Sequence, residues 1–432
     1  MASTQSGRDP GGRASFLHSG PYRSWRNAAA GLAVAAILAS CAAMEAGFHS
    51  KHNETLADLK FTELCAPAGA ALAQPAACID CTASIEQRLR LANGASPQYA
   101  LEEICDNTDP RLLVIFAFSG GGFRSAAFGF GALQAAHEID LDRLGPHHPL
   151  SREIDIVSGV SGGAFTATAF ASRREALFDT HGGRYYGRDF LEHNFMGDLL
   201  SVYLEPWRWG WMLPYYGTTD EMASLYGDIP FDDRTALFGE NFGTLAVKGR
   251  PFLVVQATDF GNEQPFTFTQ NDFDLICSNV NAYPVRNAVA AANGFPFLFS
   301  PVPLRNFRFP YADESSAACG NREPDWVRAS KDYGSYELDR TYERGRIVQG
   351  YLPSEKPDSS ERRLYLQDGG VTDNHALRGL MKIMGQAQGR PIPAGTKGTD
   401  KAGGSDTMVS PPAVPPPAVA DDSTACRAGL GR

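Results

Sequence analysis

Three apolar runs in this chain lead directly into glycine-rich turns, and that pattern restricts the fold more than any other feature. Leu112–Phe118 is followed by Ser119-Gly120-Gly121-Gly122-Phe123-Arg124. Ile154–Val157 leads into Gly159-Val160-Ser161-Gly162-Gly163, and Leu364-Tyr365-Leu366 into Asp368-Gly369-Gly370. Each reads as a buried strand that ends where a helix begins. A lone Gly-x-Ser-x-Gly arises by chance about 0.3 times in a chain of this length and composition, so one motif decides little. Three such junctions predict strands alternating with helices, hence an α/β fold with a mainly parallel central sheet.

The intervening sequence fits that expectation. Ser125–Ile139 and Ala164–Arg173 are predicted helices, with Gly129 and Gly131 allowing close backbone approach in the first. Pro251–Ala257 is a further buried strand, and Phe266 and Phe268 alternate with Thr in a partner strand. The catalytic region is expected to span 111–384. Residues 41–110 form a mostly helical, cysteine-containing preface, with Ile85–Leu91 and Tyr99–Ile104 as its best segments. Over 385–432 Gly, Ala, Pro, Ser and Thr dominate and apolar periodicity stops. That stretch reads as a disordered tail or an early end to the fold.

Residues 1–40 have the character of a targeting segment. Arg8, Arg13, Arg23 and Arg26 precede an apolar run of 11 residues, Ala28–Leu38. That is too short for a bilayer span, which needs about 20, and suits the h-region of a signal peptide. Leu38-Ala39-Ser40-Cys41 resembles the lipobox of bacterial lipoproteins, whose cysteine is diacylated and becomes the mature N-terminus. The resemblance makes Cys41 the lipid attachment and, with Ala42 rather than Asp next, implies an outer-membrane lipoprotein facing the periplasm or cell surface. A plain signal peptide with a coincidental Cys is the alternative.

The net charge of −10 argues against nucleic acid as a partner, because phosphate binding needs a basic surface. Residues 1–40 carry four Arg and one Asp, so their removal takes the charge from −10 to −13. In an exported protein Cys65, Cys78, Cys81, Cys105, Cys277, Cys319 and Cys426 read as disulfide partners. The first four would staple the preface, and Cys277 with Cys319 would form a separate pair. Cys78-x-x-Cys81 also admits a zinc or redox reading. Residues 184–238 are rich in aromatics, Pro206 and Pro214 bracketing Trp207, Trp209 and Trp211. They form ordinary core or a cap touching a lipid surface.

A nucleophilic serine needs exposure, a base and donors for the oxyanion. The glycines around Ser161 permit a strained strand-to-helix turn, and a helix starting near Gly162 aims its N–H groups and positive dipole end at the site. Gly120, Gly121 and Gly122 offer bare amides as an oxyanion hole, with Arg124 fixing that loop or pairing with an anionic headgroup. Two bases are open. In a Ser…Asp…His order the histidine is His375, which has no motif of its own. Asp368, at a strand end before two glycines, is instead placed to take the serine proton directly. No metal or cofactor is required by either scheme.

Gly120-Gly121-Gly122-x-Arg124, Gly159-x-Ser161-x-Gly163 and Asp368-Gly369-Gly370, in this order, resemble the patatin-like phospholipases. The resemblance extends to Ala291-Ala292 followed by Pro296-x-x-Phe299-x-Pro301, similar to that family's Ala-Ser…Pro-x-x-Phe-x-Pro stretch, and to Val371-Thr372-Asp373-Asn374. It implies a three-layer α/β/α patatin-like fold and Ca²⁺-independent hydrolysis of lipid acyl esters. Within it Ser161 is the nucleophile, Asp368 the base, Gly120, Gly121 and Gly122 the oxyanion loop, and no histidine is catalytic. Ser125 stands where the family often has Gly, and Ala292 where it often has Ser. The expected substrate is a membrane phospholipid or lysophospholipid, reached from the membrane surface through an N-terminal lipid anchor. A Ser-Asp-His esterase and a non-catalytic lipid-binding lipoprotein are the rival readings.

Overall fold

The computed structural model describes residues 54–55 and most of 81–388. Within the latter, 93–95, 107, 110, 180–183, 196, 199–200, 202–216, 232–234, 297, 310–323, 325–350 and 352–362 lie outside the description. So do 1–53, 56–80 and 389–432, and with them the expected signal segment, Cys41 and nearly all of the Pro-rich tail. Trp207, Trp209 and Trp211 are likewise outside the described residues. The described residues all belong to one unit, within 1–390.

Among the described residues the strands are β1 (Glu54–Thr55), β2 (Val114–Phe118), β3 (Ile154–Val160), β4 (Phe252–Asp259), β5 (Gln264–Thr267), β6 (Ser278–Asn279), β7 (Val302–Arg305) and β8 (Arg363–Asp368). β1 and β6 make a small antiparallel pair. The central sheet runs β2-β3-β4-β8-β7, with β5 paired to β4 off that path. β2, β3 and β4 pair in parallel, whereas β5 and β8 run antiparallel to β4, and β7 antiparallel to β8. Four of the six strands (β2, β3, β4 and β7) therefore point the same way. The sheet is mixed but mostly parallel in direction.

The helices are α1 (Ile85–Ala92), α2 (Gly122–Glu138), α3 (Gly162–Arg173), α4 (Thr218–Gly227), α5 (Phe242–Lys248), α6 (Val285–Ala292) and α7 (Arg378–Gln388), beside shorter turns. Neighbouring residues of β3 show why they form layers on both faces. A Cβ on Gly159 would lie 2.7 Å from the Ala164 backbone of α3. Ser158 points the other way and donates from Oγ to the Ala376 carbonyl at 2.8 Å, just before α7. Alternation along the strand thus sends one residue to each helical layer, giving the expected α/β/α arrangement. Every residue of β3 and β4 is buried, as in a strand covered on both faces.

Two local expectations are corrected. Leu112–Phe118 reads as fully covered strand, yet Leu112 and Leu113 are exposed and Val114–Ala117 only half-buried. Among the described residues β2 pairs with β3 alone, so it lacks the cover that β3 and β4 receive. Tyr99–Ile104 reads as helix, but only Leu101–Glu103 forms a short 3₁₀ turn. Tyr99 is instead buried, its hydroxyl donating to Leu253 O at 3.0 Å and accepting from Leu253 N at 2.9 Å. Burial pushes that phenol far above its ordinary pKa, so it remains a neutral donor. The preface is fastened further by a Cys81–Cys105 disulfide, and Cys277 is disulfide-bonded as well.

Candidate active site

β3 ends at Val160 and α3 begins at Gly162, leaving Ser161 at φ 48° and ψ −130°. That backbone is strained for a non-glycine residue, by about 1–3 kcal/mol in comparable cases, and surrounding packing must hold it. Gly162 supplies part of that packing, since a Cβ there would overlap the backbone of Gly122. The start of α3 and the glycine loop after β2 therefore lie directly against each other.

The partner of Ser161 arrives through sheet register. Val160 sits opposite Gln256 and Asp368 opposite Ala257, the next residue of β4. Ser161 Oγ donates to Asp368 Oδ2 at 2.9 Å. Asp368 Oδ1 accepts from Gly370 N at 2.7 Å, so both carboxylate oxygens are engaged. The main chain of Asp368 is fixed by its N–H to Gly294 O at 3.0 Å and by Thr258 Oγ1 donating to its carbonyl at 2.9 Å. The side chain is buried, and loss of water raises the carboxyl pKa above its ordinary value. The hydrogen bonds from Gly370 and Ser161 oppose that rise only in part.

In the loop facing Ser161, Gly121 has φ 141° and Gly122 φ 65°, conformations that L side chains rarely adopt. The three glycines are not equivalent. Gly120 donates its N–H to Asn374 O at 3.0 Å, which corrects the expectation that all three amides await an oxyanion. The N–H groups of Gly121 and Gly122 have no hydrogen-bond partner among the described residues. Ser125 Oγ donates to Ser119 O and closes the loop from α2. Arg124, expected to support the loop, is exposed and has no hydrogen-bond or ion-pair partner among the described residues.

His375 is exposed, and among the described residues only its main-chain N–H is engaged, donating to Asp373 Oδ1 at 3.1 Å. Asp373 is buried and accepts from Arg378 N at 2.6 Å, capping α7. The aromatic region also resolves in part. Phe123, next to the glycine loop, stacks between Phe165 and Phe195 at centroid distances of 5.3 and 5.5 Å. Tyr186, Phe190, Phe195 and Tyr226 are buried, so the described portion is core.

Residues 116–381, more than half of the chain, match the model of the patatin-like phospholipase family. The chain belongs to that family. No curated protein matches it. The patatin-like match begins inside β2 and ends inside α7, enclosing the glycine loop, the serine turn and the aspartate turn. Patatin-like phospholipases are in general lipid acyl hydrolases, and within the matched residues the structure brings together one hydroxyl, one carboxylate and two main-chain amides without a hydrogen-bond partner among the described residues. Sequence reasoning missed the roles of Asn374, Gly294 and Thr258. The first two lie in stretches that resemble the family, but their contacts are made by main-chain carbonyls, which no residue type encodes.

Proposed function

We propose that the chain is a serine lipid acyl hydrolase of phospholipase A or lysophospholipase type. The observation that carries this reading is the direct 2.9 Å hydrogen bond from Ser161 Oγ to Asp368 Oδ2. Ser161 Oγ attacks the ester carbonyl carbon while Asp368 takes its proton. The N–H groups of Gly121 and Gly122, with the positive end of α3, stabilise the negative charge that develops on the carbonyl oxygen. Asp368 then passes the proton to the leaving alcohol oxygen as the C–O bond breaks. Water attacks the acyl-enzyme, Asp368 accepts a proton from it, and the fatty acid leaves as the proton returns to Ser161. A carboxyl pKa raised by burial suits this work, because a stronger base accepts the hydroxyl proton more readily.

The Ser-Asp-His alternative is the weaker one, since the ring of His375 has no hydrogen-bond partner among the described residues. In this reading the lipobox-like Leu38-Ala39-Ser40-Cys41 makes the enzyme an exported lipoprotein. A lipid on Cys41 would keep the site beside membrane phospholipid and raise its effective concentration without a new contact.

The test is fatty-acid release from mixed phospholipid and lysophospholipid vesicles containing a chelator, by the full chain and its Ser161→Ala variant. Release by the parent alone is expected. Equal release by both would overturn the assignment of Ser161. No release from either folded protein would favour a non-catalytic lipid-binding role.

A further inference from the structure

The open amides of Gly121 and Gly122 lie inside a ring that one side chain closes. Ser125, in the first turn of α2, donates its hydroxyl back to the carbonyl of Ser119. A Cβ built on Gly121 would sit 3.2 Å from Ser125 Cβ, so the side chain packs directly against that glycine. The Ser119 carbonyl and the Gly120 N–H belong to one peptide group. Its oxygen is held by Ser125 and its N–H by Asn374 O at 3.0 Å, which fixes the plane from both edges. On the far side, Gly122 is packed against the start of α3, where a Cβ on Gly162 would overlap its backbone. Ser125 itself stands on a firm base. Thr166 Oγ1 of α3 donates to the carbonyl of the next residue, Ala126, at 2.7 Å.

Resting on the serine hydrolase reading, we infer that Ser125 is a positioning residue that aims the oxyanion amides. It touches no reacting atom. Glycine is permissive in its backbone angles, so Gly121 and Gly122, both at positive φ, do not keep their N–H directions unaided. A fixed peptide ahead of them and a fixed helix after them supply that direction, and Ser125 ties the two together. The support expected of Arg124 comes instead from its neighbour. When Ser161 Oγ bonds to the ester carbon, its proton goes to Asp368 and the C=O π pair moves onto the carbonyl oxygen. Full charge on that oxygen develops only as the tetrahedral state forms, so the aim of the amides matters there more than in the bound ester. The Ser125–Ser119 hydrogen bond is exposed. In Ser125→Ala, water takes the place of the hydroxyl and satisfies the carbonyl without fixing it. Loss of aim is thereby separable from loss of stability.

The test compares the full chain with its Ser125→Ala and Ser125→Thr variants on a soluble alkyl ester. Two inhibitors are measured alongside. An alkyl trifluoromethyl ketone forms a tetrahedral adduct with the serine and so places an oxyanion in the loop, whereas the matching methyl ketone binds without that adduct. Ser125→Ala is expected to lower kcat about tenfold with KM within about twofold, a fraction of the roughly 10²- to 10³-fold cost of removing a donor outright. Inhibition by the trifluoromethyl ketone should weaken by a similar factor, while the methyl ketone and the melting temperature stay unchanged. Ser125→Thr, which keeps the hydroxyl, should recover most of both losses. Unchanged kcat and unchanged trifluoromethyl ketone binding in Ser125→Ala would overturn the assignment. So would equal weakening of both ketones with a lowered melting temperature, which marks a purely structural role. If the parent protein neither cleaves the ester nor binds the trifluoromethyl ketone, the hydrolase reading beneath the assignment falls instead.

Discussion

Ser161 and Asp368, separated by 207 residues in sequence, meet because neighbouring residues of β4 hold them, Gln256 opposite Val160 and Ala257 opposite Asp368. The contact is a property of strand register rather than of a flexible loop. A site built on central strands holds its geometry better than one built on loops, and the consequences can be measured.

Removing the carboxylate should abolish most activity, whereas removing the nearby imidazole should not. Asp368→Asn is expected to lower kcat by roughly 10²- to 10⁴-fold, the usual weight of a positioned base. His375→Ala should remain within about twofold of the parent. Steady-state kinetics on a soluble ester, with circular dichroism to establish folding, checks both.

The pH dependence follows from the burial of Asp368. The base acts only when ionised, so the acid limb of kcat/KM should lie above the ordinary carboxylate value of 3.8. Its stability effect has the opposite sense to that of a paired surface carboxylate. The folded state holds this proton more tightly than the unfolded state does, so stability falls as pH rises from 3.8 through the folded-state value. Above that folded-state value the full cost is present. Asp368→Asn should therefore melt above the parent on the alkaline side of it, with the gap closing in acid. Thermal melts of both proteins across that range test the sign.

The close approach of Gly162 to the glycine loop, proposed above as the oxyanion hole, predicts a site-specific loss. Gly162→Ala would drive a methyl into the Gly122 backbone and displace the open amides. A drop of about 10²-fold or more in kcat is expected, as for loss of an oxyanion donor. Gly131→Ala, on the exposed side of α2 with open space at its Cβ, is the control. It should retain activity and gain roughly 0.4–1 kcal/mol in stability, which denaturant unfolding would resolve.

The disulfide of the preface should matter for stability and little for catalysis. Cys81 and Cys105 are 24 residues apart, and closing a loop of that size is worth about 3 kcal/mol. Replacing both by Ser should lower the melting temperature while leaving kcat within about twofold. The preface keeps other attachments, among them Tyr99 on Leu253 and Cys105 O accepting from Arg250 N at 3.1 Å. Calorimetry paired with a soluble-ester assay distinguishes the two effects.

The parts legible from sequence are those in which a backbone demand forces a residue type. Gly121 and Gly122 reveal positive φ, Gly162 reveals a close approach, and Ser161 is marked by the glycines around it. Strand direction has no such mark. The apolar alternation of Arg363–Asp368 is the same whether the strand runs with β4 or against it, so the antiparallel entry of β8 had no local signal. Cover is equally silent: Leu112 and Leu113 are as apolar as the buried residues of β4, yet exposed. Tyr99 shows a further limit, because a phenol inserted into the backbone hydrogen bonding of Leu253 looks, in sequence, like one more apolar helical residue. Gly120 was legible as glycine but not as an amide already claimed by Asn374.

The most direct measurement is to quench the reaction with excess ester and map the acyl group by peptide mass. Acyl is expected on Ser161 in the parent protein and none in Ser161→Ala, with acylation slowed in Asp368→Asn. Acyl on another residue, or ester turnover that persists in Ser161→Ala, would contradict the assignment of Ser161.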